Sequence, residues 1–254
     1  MTDLTAIERL GLLLVRPGAL LMTAPVFGAS FAPPIARIGL LLLITLALAP
    51  VVPVPAAAGG AAMTMIAMRE MLIGLALAFS IRIVVAGAEL AGHLAGFQIG
   101  YAYASLVDPQ SGARNGMLSA LYANVALMVF LAIDGHHQML QALVASYEAL
   151  PPGATAGGAA GDLVGLVART LGAVFVLGIR LAAPVLFVLF VVELILGLLA
   201  RAAPQLNLMV NAVSVRLLVG LVVLAATIGV VPDVVRSVLA PAIRLAAQIA
   251  GVFR

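Results

Sequence analysis

The chain has 254 residues, 64% hydrophobic and only 9% charged, with a mean hydropathy of +1.23. A soluble domain carries about a quarter charged residues, so this composition excludes one and indicates an integral membrane protein. The net charge of +3 rests on scattered arginines with no lysine, which excludes a clustered nucleic-acid patch, and the absence of cysteine removes disulfide and thiolate chemistry.

Residues 1–10 do not read as a secretory signal, because Asp3 and Glu8 stand where a basic region should be. Residues 10–29 are apolar but interrupted at Arg16-Pro17, and residues 38–52 form a Leu-rich run cut by Pro50. Residues 71–92 are long enough to cross a bilayer, which takes about 20 residues, yet they carry Arg82 and Glu89. A helix is expected to continue from there to about Leu106. Residues 117–133 are a fourth apolar run, ending at Asp134-Gly135-His136-His137, and residues 139–150 are amphipathic at helical spacing. The Pro/Gly/Ala stretch 151–161 reads as a linker, followed by Asp162 as N-cap of a helix through Ala183. Pro184 is expected to start or kink the next helix, 185–203, which Pro204 stops. The last apolar run, 206–231, contains Asn207, Asn211 and Arg216, and Pro232 opens an amphipathic tail. The expected fold class is all-α, with about six hydrophobic segments, broken helices and no strand signal.

The most distinctive stretch lies between residues 88 and 116. Ala88, Gly92, Gly96, Gly100 and Ala104 recur every four residues and form one bare ridge on a helix, the pattern that lets another helix approach to backbone contact. Leucine at Gly96 is therefore expected to overpack that contact, at about 1–3 kcal/mol. Glu89, His93, Phe97, Tyr101 and Ser105 run alongside as a stripe carrying polar groups. Asp108-Pro109-Gln110-Ser111-Gly112 cannot continue the helix, so a polar loop follows the ridge.

Charges inside apolar runs need partners, since one at the bilayer centre costs about 2.5 to 17 kcal/mol depending on method. Arg16, Arg82, Glu89, Arg180, Glu193 and Arg216 must therefore pair, face water or lie outside the hydrocarbon. Glu89 with Arg82 or Arg180 reads as an ion pair locking helices, or as an ion relay. The arginines near both ends favour cytoplasmic termini. Ser111 with His136 or His137 lacks the layout of a serine protease. The same His pair is a poor metal site on sequence grounds, because adjacent histidines point different ways and carboxylates are few; capping a helix end is the simpler reading. No phosphate loop, paired catalytic carboxylates or cofactor fingerprint occurs, so no enzyme activity, cofactor or metal is expected.

Several blocks resemble the FliR family of flagellar export-gate proteins. They are Met22-Thr23-Ala24-Pro25-Val26-Phe27, residues 89–100, Ala104-Ser105-Leu106-Val107-Asp108-Pro109-Gln110-Ser111-Gly112, Gly135-His136, and Ser146-Tyr147-Glu148 before Pro151. Residues 181–185, residues 197–201 ending in Arg201, and Ala203-Pro204-Gln205-Leu206-Asn207 complete the series, in order through nearly the whole chain. The resemblance departs at Ala212-Val213-Ser214-Val215-Arg216, where the family usually has Gly-x-Pro-x-Lys; Ser214 removes the proline, so the last run is expected to be straighter.

The resemblance implies a type III protein export gate in the bacterial inner membrane, at the flagellar basal body. It implies one copy of this chain with about five of FliP and about four of FliQ in a helical cone, alongside an FlhB-type export switch protein, lipid and unfolded substrates. Helices in that cone are inclined and raised from the bilayer, so hydropathy topology misleads. It places a pore plug at Val107, Asp108, Pro109, Gln110, Ser111, Gly112, Ala113 and Arg114. Buried-charge or interface positions are expected at Arg82, Glu89, Arg180, Glu193, Arg201, Gln205, Asn207 and Arg216. Residues 1–150 correspond to a FliP-like portion and 162–254 to a FliQ-like one, either side of the linker 151–161. The injectisome branch of the family is the alternative. A small-solute transporter is another, although the inverted repeats it predicts are not evident.

Overall fold

The computed structural model describes residues 2–25, 27, 33–54, 60–100, 116–153, 160–202 and 208–238. Among these residues the regular structure is entirely helical, with no strand. The helices are α1 (Thr2–Thr23), α2 (Pro34–Leu48), α3 (Gly60–Ile99), α4 (Met117–Ala132), α5 (Gly135–Ala149), α6 (Ala160–Ala202) and α7 (Leu208–Thr227). A 3-10 turn, Ile228–Val230, leads from α7 into a further helical stretch at 231–238.

Their lengths explain why a count of straight spans fails. The 40 residues of α3 and the 43 of α6 reach roughly 60 and 65 Å at 1.5 Å per residue, about twice the hydrocarbon core. The 15 residues of α2 and 16 of α4 reach only about 23 Å, short of it. Among the described residues, three stretches are long and apolar enough to cross a membrane, Ala62–Ile99, Gly172–Ala202 and Ala212–Val238. The α4–α5 pair makes a fourth if its 68° bend is counted within one broken span.

Three boundaries differ from the sequence expectation. Pro17 sits inside α1 without interrupting it, and Pro184 sits inside α6 without starting a new helix, a kink being the other outcome expected there. α3 stops at Ile99 rather than near Leu106, because Gly100 turns left-handed at φ 101° while its N–H still reaches the Phe97 carbonyl at 3.2 Å. Only glycine takes that conformation without steric cost, which makes Gly100 a helix terminator. α6 begins at Ala160, so Asp162 lies within its first turn rather than at the cap. Residues 154–159 of the expected linker lie outside the described residues.

The described residues divide into two compact units that alternate along the chain. One takes those up to Ile83 and those of Phe130–Thr170; the other takes Val84–Val129 and Leu171–Val238. In the first, Leu13, Leu20, Ile73, Leu77, Leu143 and Leu150 form a closed core. Here α2 lies against α1, with the Leu41 side chain over Gly18. In the second, Ala88, Ala91, Ala95 and Ile99 of α3 are buried, as is the four-residue repeat Leu177, Leu181, Val185 and Leu189 of α6. The opposite face of α6 carries Phe187, Phe190, Leu194 and Leu198, all more than half exposed. Only 22% of the most apolar window is buried in Gly172–Ala202 and in Ala212–Val238, against 61% in Ala62–Ile99. Exposed apolar surface on that scale needs lipid or other helices to cover it.

Candidate functional site

The polar centre of the first unit is Arg16, in the middle of α1 and fully buried. A guanidinium in an apolar core costs several kcal/mol unless it is paired and hydrogen-bonded. Glu70 of α3, equally buried, supplies the pair. Its two carboxylate oxygens accept from Arg16 Nε at 2.8 Å and from Nη2 at 2.9 Å, a bidentate fork. α5 takes further donors: Nη1 donates to Ser146 Oγ at 2.9 Å and Nη2 to the Leu150 carbonyl at 3.0 Å. The Tyr147 ring stacks on the cation, 4.0 Å from ring centre to guanidinium carbon. Leu150 follows the last residue of α5, where unpaired carbonyls and the negative end of the helix dipole favour a cation. One side chain thus ties three helices. Gly74, one turn beyond Glu70, makes the approach possible: a Cβ there would strike the Arg16 carbonyl oxygen and lie 2.9 Å from Ala19 Cβ.

The same cluster explains how α1 runs through Pro17. Proline has no N–H, so the Leu13 carbonyl four residues back loses its helical donor. The Tyr147 hydroxyl donates to that carbonyl at 3.0 Å. Tyr147→Phe keeps the ring over Arg16 and removes this donor, leaving a buried carbonyl unpaired at about 1–3 kcal/mol. The expected result is a lower melting temperature in detergent; an unchanged one would show that the Leu13 carbonyl finds another partner.

A second charged group lies in the other unit. Arg216 Nη2 of α7 meets Glu193 Oε1 of α6 at 2.9 Å, and Gln98 Nε2 of α3 donates to Glu193 Oε2 at 3.3 Å. The side chains of Arg216 and Glu193 are 28% and 42% exposed on this chain, within stretches apolar enough to cross a membrane. Arg82, Arg180 and Arg201 lie exposed on the surface of the chain and Glu89 is half-buried. Gln205, Asn207 and the eight plug positions Val107 to Arg114 lie outside the described residues.

The small-residue ridge is not uniform. Ala88, Gly92 and Gly96 are buried on α3, Gly100 ends the helix, and Ala104 lies outside the described residues. At Gly92 a Cβ would stand 2.5 Å from the Leu118 carbonyl oxygen and 2.6 Å from the Ser119 nitrogen, so the backbones of α3 and α4 meet there. At Gly96 the nearest atom is Leu118 Cδ1 at 3.6 Å, an ordinary contact. Of the ridge positions expected to pack closely, Gly92 is the one at backbone contact.

At the α4–α5 bend, Asp134, His136 and His137 each offer a metal-ligating atom within 4.8 Å of the others. The two imidazoles do not diverge: their centroids are 4.2 Å apart. Hydropathy also passes over Glu70, which lies one residue outside the run 71–92. The signal available is Arg16 itself, which needs an acid.

Comparison with known proteins supplies the context. The profile of Bacterial export proteins, family 1, matches residues 7–241. The Flagellar biosynthetic protein FliR of Escherichia coli is 34% identical over 216 residues, covering 84% of this chain and 81% of that protein. The protein of the same name from Bacillus subtilis is 28% identical over 229 residues, 89% of this chain and 88% of that one. The Yop proteins translocation protein T of Yersinia pestis is 27% identical over 148 residues, 58% of this chain and 57% of its own length. With the match extending over nearly all of its length, the chain belongs to family 1 of the bacterial export proteins.

Proposed function

We propose that the chain is a pore component of the flagellar type III export gate, carrying unfolded flagellar subunits across the bacterial inner membrane. Family membership across residues 7–241 carries this reading, and the FliR-named relatives favour its flagellar form. The uncovered apolar faces of α6 and α7 support it, being suited to neighbouring helices in a hetero-oligomer. In that assembly the partners are FliP and FliQ homologues, about five and four copies, with an FlhB-type switch protein nearby. Residues 1–150 take the FliP-like place and 162–254 the FliQ-like place. The role is that of a conduit, without catalysis.

The plug is assigned to residues 107–114, whose polar, Pro- and Gly-containing sequence disfavours a continued helix and suits a segment that moves aside. Shortening residues 108–114 is expected to make the membrane leak ions and small molecules. Unchanged conductance would remove the plug assignment.

An in-frame deletion tests the whole reading by assay of the culture medium. Hook and filament proteins are expected to disappear and to return on complementation. Loss of effector proteins alone would move the chain to the injectisome branch, which its likeness to the Yersinia protein keeps in view. Continued export of both, with no redundant copy, would end the export reading.

A further inference from the structure

The bend between α4 and α5 carries a cluster of metal-binding groups that the export reading does not use. Asp134 is the one non-glycine residue with positive φ among the described residues, at φ 56° and ψ 31°. An L-residue there is strained, and strain of this kind persists only where the surroundings fix the backbone. They do so here. The Asp134 N–H donates to the Leu131 carbonyl at 3.1 Å, and its own carbonyl accepts from the Gln138 N–H at 3.1 Å. Gln138 Nε2 also donates to the Ile133 carbonyl at 2.9 Å. Gly135 is pressed on Phe130, whose ring and carbonyl a Cβ would strike, so the chain cannot slide past this point.

On this fixed frame His137 Nδ1 lies 3.4 Å from Asp134 Oδ1, and the His136 ring lies against that of His137. His136 Nδ1 is buried and has no hydrogen-bond partner. A buried ring nitrogen left unpaired is costly, and a bound metal ion would relieve that cost.

We propose that Asp134, His136 and His137 bind a divalent zinc-type ion that clips the α4–α5 bend. Two imidazoles and one carboxylate suit zinc and its late-transition neighbours, whereas magnesium and calcium want oxygen ligands. Zinc holds nitrogen ligands at about 2.0–2.1 Å in a tetrahedron, so the donor atoms must close to about 3.4 Å apart. Asp134 and His137, 73% and 65% exposed, are free to rotate inward. Three protein ligands leave the fourth position to water or to a ligand from a neighbouring molecule.

The test uses the full-length chain purified in detergent through a tag without histidine. Zinc titration by calorimetry is expected to show one site per chain, and cobalt is expected to give the visible absorption of a tetrahedral complex. His136→Ala and Asp134→Asn are each expected to weaken zinc binding at least about ten-fold. His93→Ala, which removes the only other histidine, is expected to leave binding unchanged. Asp134→Gly separates ligand from backbone roles, because glycine suits the left-handed turn. It is expected to abolish the rise in melting temperature that zinc gives the parent chain, while the metal-free protein melts no lower. Zinc affinity of the parent no greater than that of a helical, monodisperse His136→Ala/His137→Ala variant would overturn the site. Zinc binding at one per chain that persists in Asp134→Asn and in that double variant would do the same.

Discussion

Glu70→Ala is expected to be among the most destabilising single substitutions in this chain. It leaves the Arg16 guanidinium in a closed apolar core without its counter-charge, keeping only Ser146, the Leu150 carbonyl and the Tyr147 face. Breaking a buried ion pair from one side costs about 3–5 kcal/mol, a large fraction of the stability of a typical domain. The expected readout is a sharp fall in the amount of protein in the membrane and in its melting temperature. Arg16→Met combined with Glu70→Leu is expected to recover most of that loss, since apolar residues of similar volume often replace a buried pair at little cost. Recovery should be incomplete, because the Leu150 carbonyl loses its Arg16 donor, at about 1–3 kcal/mol. Ser146 is spared, as its hydroxyl still donates to the Leu143 carbonyl at 2.6 Å. A double variant as unstable as the single one would show that both charges are needed for more than neutralising each other. A single variant that melts like the parent would show that the cluster does not hold the three helices together.

The second large effect is expected at Gly92. Alanine there must push α3 off the backbone of α4 at Leu118 and Ser119, and backbone cannot turn aside as a side chain can. Overpacking of this kind costs about 1–3 kcal/mol, occasionally more. Gly96→Ala is the matched control: its Cβ meets the Leu118 side chain at ordinary distances, 3.6 Å to Cδ1 and 3.9 Å to Cβ, and alanine favours the helix by up to about 1 kcal/mol. The two variants add the same methyl group one helical turn apart, and their melting temperatures in detergent should move in opposite directions. Equal losses at both would mean that the ridge packs uniformly. A harmless Gly92→Ala would mean that α3 and α4 do not meet backbone to backbone.

Both predictions rest on approach distances that no residue type announces. The four-residue spacing of Ala88, Gly92, Gly96 and Gly100 predicted close packing. It could not say that Gly92 touches backbone, Gly96 has slack, and Gly100 ends the helix. The proline rule likewise predicted an interruption at Pro17 and a new start or a kink at Pro184. At Pro17 the break is absent because Tyr147, 130 residues away in the chain, donates to the carbonyl that proline leaves free. At the α4–α5 bend, neighbouring histidines on a helix were expected to diverge; both lie in the first turn of α5, yet their rings stand 4.2 Å apart, and the left-handed Asp134 brings its carboxylate beside His137.

Composition alone determined that this is a membrane protein, because a chain 64% hydrophobic and 9% charged has too little polar surface for water, and the long apolar runs made it helical. Ordered motifs along the chain were enough to mark the export family, since blocks such as 104–112 are local strings and survive without coordinates. The requirement that Arg16 find a partner was also local, following from the cost of a charge among leucines. Which acid answers it, which glycine meets backbone, and which hydroxyl repairs the proline are contacts between residues 54, 26 and 134 positions apart, as in Arg16 with Glu70, Gly92 with Leu118 and Leu13 with Tyr147. Pairings of that range depend on how helices are placed in space, and only the tertiary structure decided them.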